Sequence, residues 1–364
     1  MRAALRQARN GLGRTSPNPP VGAVIVRDDR IIASGYHRKS GMPHAEIEAL
    51  NKVSENARGA TLYVTLEPCN HYGKTPPCTK AIVRAGIVRV VVGARDMNPN
   101  VDGGGCDYLS GRGVEVVTGV LEPECKELIE AFIGHSTEGR PFITVKSALT
   151  LDGWAGSSTG HSKWITNEKS RSFVHLLRDR SDAVMVGVGT VIADDPMLTC
   201  RRKAGKDPIR IVLDTRLRTP LNSRLLNQNS KAENIIAVGS GIAGDRVKVY
   251  EDKGARIIRC PEREAGLDIP WLMETLAKMD IMSILVEGGS KVIGSIMREC
   301  LADKFYVFRS PKLLGGNDGI PMAHGHGALR MDRCVQLRDI SIRHFGEDLL
   351  TVGYPVYPPV DRIN

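Results

Sequence analysis

The 364-residue chain has no run of eighteen apolar residues, which is the length a helix needs to cross a bilayer. Its start, Met1-Arg2-Ala3-Ala4-Leu5-Arg6, leads into Gln7, Arg9 and Asn10 and not into an apolar signal core. These absences argue against a membrane partner and set the expectation of a cytoplasmic protein. None of the eight cysteines (69, 78, 106, 125, 200, 260, 300 and 334) forms a Cys-x-x-Cys pair, and they are too sparse for a disulfide framework, so most are expected to be reduced. No internal repeat and no low-complexity tract is found. Fifty basic side chains against 41 acidic ones give a net charge of +9, but no five or six basic residues stand together. That scatter speaks against a nucleic-acid partner, and phosphorylated metabolites also call for local basic residues. A Gly-x-Gly-x-x-Gly fingerprint is missing too. Gly187-Val188-Gly189 begins one, but Ile192 stands in place of the third glycine, which disfavours a Rossmann fold.

The composition, 41% hydrophobic and 25% charged, is that of a globular chain, and the length suggests two domains. The N-terminal third alternates helix and strand signals. Helix is predicted over 2–10, 45–53, 79–85 and 122–133, and strand over 21–27, 31–35, 61–64, 88–93 and 114–117. This is an α/β pattern. The stretch Gly134 to Arg140 turns polar and Gly-bearing, and a new strand signal starts at Phe142. The domains are therefore placed at 1–139 and 140–364. The second is also α/β, with strands at 142–145, 183–187, 209–214, 234–238, 256–259, 283–287 and 304–308 and helices near 170–178, 271–278 and 291–299.

Pro43-His44-Ala45-Glu46 opens a predicted helix and puts an imidazole and a carboxylate on its first turn. Thr65-Leu66-Glu67-Pro68-Cys69 runs a strand into a turn, and Pro76-Pro77-Cys78 follows at the start of the next helix. One His and two Cys supply three zinc ligands and leave the fourth tetrahedral position open, as in a catalytic site. Zinc acidifies water toward neutral pH, and Glu46 is placed to carry a proton to a leaving amine. His-x-Glu followed by Pro-Cys is the signature of zinc deaminases. Two alternatives stand beside this reading. His71 is available as a fourth ligand, which would make a closed structural site in an interaction module. A nucleic-acid base deaminase with a C-terminal RNA- or DNA-binding domain would use the same zinc chemistry and the positive charge.

Most such deaminases close the motif as Pro-Cys-x-x-Cys, whereas here eight residues separate the cysteines. The string Thr-Leu-Glu-Pro-Cys-Asn-His-Tyr-Gly-Lys-Thr-Pro-Pro-Cys resembles the bifunctional deaminase/reductase family of riboflavin biosynthesis, as does Thr15-Ser16-Pro17-Asn18-Pro19-Pro20-Val21-Gly22. The resemblance runs through both domains. It implies an N-terminal cytidine-deaminase-like three-layer α/β domain and a C-terminal dihydrofolate-reductase-like domain. The implied activity is zinc-dependent hydrolytic deamination of 2,5-diamino-6-(5-phosphoribosylamino)pyrimidin-4-one, followed by NADPH reduction of the ribosyl group of 5-amino-6-(5-phosphoribosylamino)uracil to ribityl. It also implies a homo-oligomer acting on a small phosphorylated pyrimidine.

Carried over residue by residue, the resemblance makes His44, Cys69 and Cys78 the metal ligands and Glu46 the proton carrier. Asn18 becomes a substrate contact, and Lys74, in the inserted loop, meets the substrate phosphate. Asp96-Met97-Asn98-Pro99 resembles the family's Asp-Pro-Asn-Pro turn, whose Asp and Asn select the pyrimidine; Met97 replaces the first proline, giving a less rigid turn. The glycine run Gly103 to Gly105 is also expected to be loose.

In the second domain Leu285-Val286-Glu287-Gly288-Gly289-Ser290 reads as a strand entering a Gly-rich turn and a helix, a candidate pyrophosphate site. Lys146 to Gly153, Ser162 to Thr166, Thr190 to Pro196 and Pro311 to Gly315 resemble the family's reductase half. The resemblance assigns Ala148, Trp164, Thr190, Asp194, Thr215 and Gly289, Ser290, Lys291, Val292, Ile293, Gly294 and Ser295 to the NADPH site. It assigns Ser162, Arg178, Leu198, Arg201 and Glu287 to the substrate. Arg178 and Arg201 suit phosphate, since a guanidinium fork matches its oxygens. Lys146 and Glu287 are the candidate general acids. His324 and His326, flanked by glycines, read as loop residues and not metal ligands.

Overall fold

The computed structural model describes residues 1–72, 76–97, 104–264 and 266–358. The chain divides into two compact units, Met1–Arg140 and Pro141–Asn364.

The first unit runs α1 (Arg2–Ala8), β1 (Gly22–Arg27), β2 (Arg30–Tyr36), α2 (Ala45–Leu50), β3 (Thr61–Leu66), α3 (Cys78–Arg84), β4 (Arg89–Ala94), α4 (Gly105–Ser110), β5 (Glu115–Val117), α5 (Glu122–Leu128) and α6 (Glu130–Glu138). Its five strands lie in the order β2-β1-β3-β4-β5. β1 is antiparallel to β2 and β3, and β3, β4 and β5 are parallel. Helices α2, α3 and α4 cover one face, and α1 and α5 the other, giving three layers. Ile25, Leu62, Val64, Ile82, Val90, Val92 and Leu109 are fully buried in this core, each worth about 1.5–3 kcal/mol of hydrophobic stabilisation. The layers approach closely where glycine permits it. A Cβ on Gly35 of β2 would stand 2.5 Å from the carbonyl oxygen of Ala45, so the first turn of α2 lies directly on the sheet.

The second unit continues with β6 (Phe142–Leu149), β7 (Trp154–Gly156), α7 (Glu168–Arg180), β8 (Ala183–Gly187), α8 (Val188–Asp194), β9 (Ile209–Leu213), α9 (Arg224–Asn227), β10 (Asn234–Gly239), α10 (Gly244–Glu251), β11 (Ala255–Cys260), the short β12 (Glu262–Arg263) and β13 (Gly266–Leu267), α11 (Ile269–Ala277), β14 (Ser283–Gly288), α12 (Ser290–Arg298), β15 (Lys304–Arg309), β16 (Ile320–Pro321), β17 (Gln336–Phe345) and β18 (Asp348–Val356). Nine strands form one sheet in the order β11-β10-β9-β8-β14-β6-β15-β18-β17. It is parallel from β11 to β15, and the β17–β18 hairpin adds an antiparallel edge. Its strands β8, β9 and β10 are apolar on both faces, as a sheet covered by helices on both sides requires. In β8, Ala183 and Met185 pack into one core with α11 and α12, while Val184 and Val186 pack into the other with α8 and α10.

Several predicted elements differ in extent. The helix expected over 122–133 breaks at Ile129 (φ −112°, ψ 18°) and resumes as α6, which runs to Glu138. The polar stretch at 134–140, where the domain boundary is expected, is therefore mostly helix, closed by Gly139 in the left-handed conformation (φ 67°). Of the glycine run expected to be loose, Gly103 lies outside the described residues, while Gly104 (φ 85°) caps α4 and Gly105 is its first residue. α2 stops at Leu50, short of 53. Elements α8, α10 and the β17–β18 hairpin were not predicted. α10 buries only Val247 and Tyr250, and β17 is exposed along most of its length, so neither carries a strong periodic signal. Among the described residues no helix is long and apolar enough to cross a membrane.

Gly35→Ala places a methyl group against the first turn of α2, and overpacking of this kind costs about 1–3 kcal/mol. Urea unfolding of the full chain should show that loss in the transition of the first unit.

Candidate active sites

His44 is the N-cap residue of α2, Cys69 lies just beyond β3, and Cys78 is the first residue of α3. Three separate segments thus deliver their side chains to one point. His44 Nδ1 lies 3.5 Å from Cys69 Sγ and 3.3 Å from Cys78 Sγ, and all three donor atoms fall within 4.8 Å of one another. Zinc with bonds of about 2.0 Å to nitrogen and 2.3 Å to sulfur needs donors roughly 3.5 Å apart, so the set fits that ion. The Cys78 N–H also donates to Cys69 Sγ at 3.3 Å and holds the two ligands in register. His71 is exposed and lies outside this cluster, so among the described residues the set stays at three, and the closed four-ligand arrangement is not formed.

Glu46, on the first turn of α2, is 3% exposed. Burial, then the negative charge of Cys69, raises its carboxyl to about 7. Cys69 gives up its proton readily, at about 4, because the Cys78 thiol hydrogen-bonds to its sulfur and His44 adds its own bond, against burial. Cys78 is pushed up by the bond to Cys69 and by burial. Only a cation among these groups lets both sulfurs bind as thiolates.

Asn18 is linked to this centre through His37, which no sequence motif singled out. Its ring, 2% exposed, joins Pro43 to Asn18: Nδ1 lies 3.1 Å from the Pro43 carbonyl oxygen and Nε2 3.0 Å from Asn18 Nδ2. A carbonyl only accepts, so the proton sits on Nδ1, and Nε2 accepts from the Asn18 amide. Burial pushes the His37 pKa down, against its bond to Pro43, in keeping with that neutral form. Asp96 is half-buried, and its backbone N–H donates to Glu67 Oε2 at 3.2 Å. Lys74 and Asn98 lie outside the described residues.

In the second unit several of the expected residues lie at the carboxyl ends of the parallel strands, where open α/β sheets bind ligands. Ala148 is near the end of β6, Thr190 and Asp194 are on α8 after β8, Thr215 follows β9, and Glu287 lies one residue before the end of β14, whose Gly288 leads into Gly289. Gly288 (φ 148°) and Gly289 (φ 78°) adopt conformations that glycine alone takes easily, and they bring the start of α12 beside Thr190 Oγ1. Within 289–295, Val292 and Ile293 are buried in the core, and Gly294 lies against the backbone of His324. Trp164 is 60% exposed beneath the Arg171 guanidinium; its neighbour Lys163 pairs with Asp194 at 3.4 Å, and Lys312 Nζ donates to its carbonyl oxygen. Ser162 is half-buried, and Leu198 is buried.

Arg178 and Glu287 form a two-pronged pair: Arg178 Nε donates to Oε1, and Nη2 donates to Oε2 at 2.9 Å. Arg178 Nη1 donates to the Thr199 carbonyl at 3.0 Å, and the Arg201 N–H donates to His175 Nδ1 at 3.4 Å, so α7 holds the 198–201 segment. Lys146 Nζ stands 3.7 Å from Glu287 Oε2. Burial works against the Glu287 charge, but Arg178, then Lys146, outweigh it and hold the carboxyl at about 2. Burial pushes Lys146 down, and Glu287 opposes this.

A three-layer sheet with a His-Cys-Cys centre and a buried glutamate defines the cytidine-deaminase-like class, and the second unit has the dihydrofolate-reductase-like reductase fold. Residues 1–94 match the cytidine and deoxycytidylate deaminase zinc-binding region, and residues 141–351 match the RibD C-terminal domain. The riboflavin biosynthesis protein RibD of Aquifex aeolicus is 42% identical over 351 residues, 96% of each chain, and that of Escherichia coli is 37% identical over 367 residues, again 96% of each. The crystal structure of a diaminohydroxyphosphoribosylaminopyrimidine deaminase/5-amino-6-(5-phosphoribosylamino)uracil reductase from Thermotoga maritima superposes with a TM-score of 0.85 at 39% identity, covering 98% of this chain and 97% of that one. The chain belongs to the RibD family of riboflavin biosynthesis proteins. Its C-terminal half is thus a RibD C-terminal domain, and the reading of that half as an RNA- or DNA-binding module is set aside.

Glu287 has a folded pKa of about 2, below its ordinary value, so its contribution to stability is complete above that ordinary value and is lost as pH falls through about 2. Glu287→Gln is expected to flatten the acid limb of a stability-versus-pH curve measured by urea unfolding. Arg178→Met leaves a buried carboxylate short of its partner and should cost about 3–5 kcal/mol at neutral pH.

Proposed function

We propose that this protein deaminates 2,5-diamino-6-(5-phosphoribosylamino)pyrimidin-4-one in its first unit and reduces the ribosyl group of 5-amino-6-(5-phosphoribosylamino)uracil to ribityl in its second. Zinc and NADPH are its cofactors. The reading is carried by the convergence of His44, Cys69 and Cys78 beside buried Glu46. We further infer that it acts on these small phosphorylated pyrimidines as a cytosolic homo-oligomer, without nucleic acid.

His44, Cys69 and Cys78 hold the metal. Bound zinc supplies Lewis acidity that brings water near neutral pKa. Glu46, raised to about 7, exchanges protons at the pH of the reaction. It takes a proton as water oxygen bonds to the ring carbon and returns it to nitrogen as the carbon–nitrogen bond breaks, releasing ammonia. Asn18, Asp96, Asn98 and Lys74 hold the pyrimidine and its phosphate.

In the second unit the bound nicotinamide supplies the hydride. Ala148, Trp164, Thr190, Asp194, Thr215 and the 289–295 stretch hold the cofactor, the buried members of that stretch acting through the backbone they support. Ser162, Arg178, Leu198, Arg201 and Glu287 face the substrate. Of the two candidate acids, Glu287 is kept ionised by Arg178 and has no proton to give. Lys146, made more acidic by burial, supplies the proton as the ribosyl ring opens and its carbon gains a hydride.

The test mixes zinc-loaded protein with the diaminopyrimidinone substrate and records ammonia release and NADPH absorbance in one sample. Ammonia release followed by NADPH loss supports both halves; ammonia alone removes the reductase assignment, and neither signal removes the reading. Glu46→Gln should keep one zinc per chain, lower deamination by at least about 100-fold and leave reduction of the deaminated intermediate unchanged. Chelation of zinc should abolish ammonia release with the same sparing of the second activity.

A further inference from the structure

Glu67 stands at the end of β3, two residues before Cys69, and takes no part in the chemistry described so far. Its backbone N–H donates to the carbonyl oxygen of Ala94 at 2.9 Å, which extends the pairing of β3 with β4. Beyond that point its side chain takes over. Oε2 accepts from the backbone N–H of Asp96 at 3.2 Å, and Oε1 accepts from the backbone N–H of Cys106 at 2.9 Å. These residues lie 29 and 39 positions away in sequence, and both bonds are partly shielded from water.

Gly105, just before Cys106, adds a second tie. A Cβ there would stand 2.0 Å from the carbonyl oxygen of Pro68, so the start of α4 lies directly on the turn that leads to Cys69. One carboxylate and one close backbone approach thus fasten Asp96 and the start of α4 to the turn that carries a metal ligand. An ionised carboxylate suits this task because it offers two acceptors and no donor. An amide in its place satisfies one N–H and turns its own NH2 toward the other.

We infer that Glu67 is a positioning residue for deamination: it fixes the segment bearing Asp96 at a set distance from the metal turn, so the pyrimidine and the reacting water meet in register. The inference rests on the deaminase reading above. Glu67 touches no reacting atom in this account; it acts through Asp96 and Cys69. A purely structural tie would alter stability or metal content and leave substrate affinity alone, whereas a positioning residue moves KM at full zinc occupancy.

The test uses the zinc-loaded full chain, with the parent enzyme, Glu67→Gln and Glu67→Asp compared for zinc per chain, deaminase KM and kcat, reductase activity and amide hydrogen exchange at Asp96 and Cys106. Glu67→Gln should keep one zinc per chain and normal reductase activity and should raise deaminase KM about tenfold, the factor that goes with losing one hydrogen bond to a charged group, with a smaller change in kcat. Exchange at Asp96 or Cys106 should quicken. Glu67→Asp, which keeps both acceptors on a shorter arm, should fall between, and it serves as the readout if Glu67→Gln does not fold. Unchanged KM in a zinc-loaded variant, or zinc loss with KM unchanged in the chains that still bind it, would overturn the inference. No ammonia release by the parent enzyme would end the deaminase reading and this inference with it; ammonia release by the parent together with an unaltered variant ends the inference alone.

Discussion

Parallel strand pairing governs where chemistry takes place in both units. A parallel neighbour is reached only by a crossover, usually a helix, so successive strand-to-helix turns collect on one edge of the sheet. In the first unit Cys69 leaves β3 on that edge, and Cys78 opens the helix that follows, while His44 and Glu46 stand at the start of α2. In the second unit the ends of β6, β8, β9 and β14 bring together Ala148, Thr190, Thr215 and Glu287. Strands buried on both faces make the sheets rigid supports, and the side chains on their edges inherit that rigidity.

Two buried glutamates show how surroundings assign different work to the same side chain. Glu46 is desolvated and has the Cys69 thiolate beside it, and these outweigh the opposing pull of His44 and the Cys78 thiol, so its proton is exchangeable near neutrality. Glu287 is equally buried, but Arg178 meets both of its oxygens and Lys146 stands near, so it stays an anion. The first suits proton transfer, and the second suits holding a site in shape.

Much of this was legible in the sequence because the motifs are local. The apolar run at 183–187, Pro-Cys after a strand, and glycines before α12 all act over a few residues, and the structure places those elements within a residue or two of the predicted bounds. Contacts between distant segments were not legible. Glu67 lies inside a quoted motif, yet its partners are set by strand register and by the path of α4. His37 belongs to no spacing pattern and matters only because β2 brings it beside Asn18. Gly134 to Arg140 reads as a domain boundary because its residues are polar and Gly-bearing, yet α6 buries none of its residues and still completes its turns.

The run from the Pro43 carbonyl through the His37 ring to the Asn18 amide has a direction, since each group in it donates toward Pro43. A carboxylate of the same shape at position 18 has no N–H to offer the bare Nε2. Asn18→Asp therefore imports a proton, on the new side chain or on His37, before both bonds can stand together, or gives up the bond to Pro43 by moving the ring proton to Nε2. At this position the fold distinguishes two side chains of nearly equal size by where their hydrogens are.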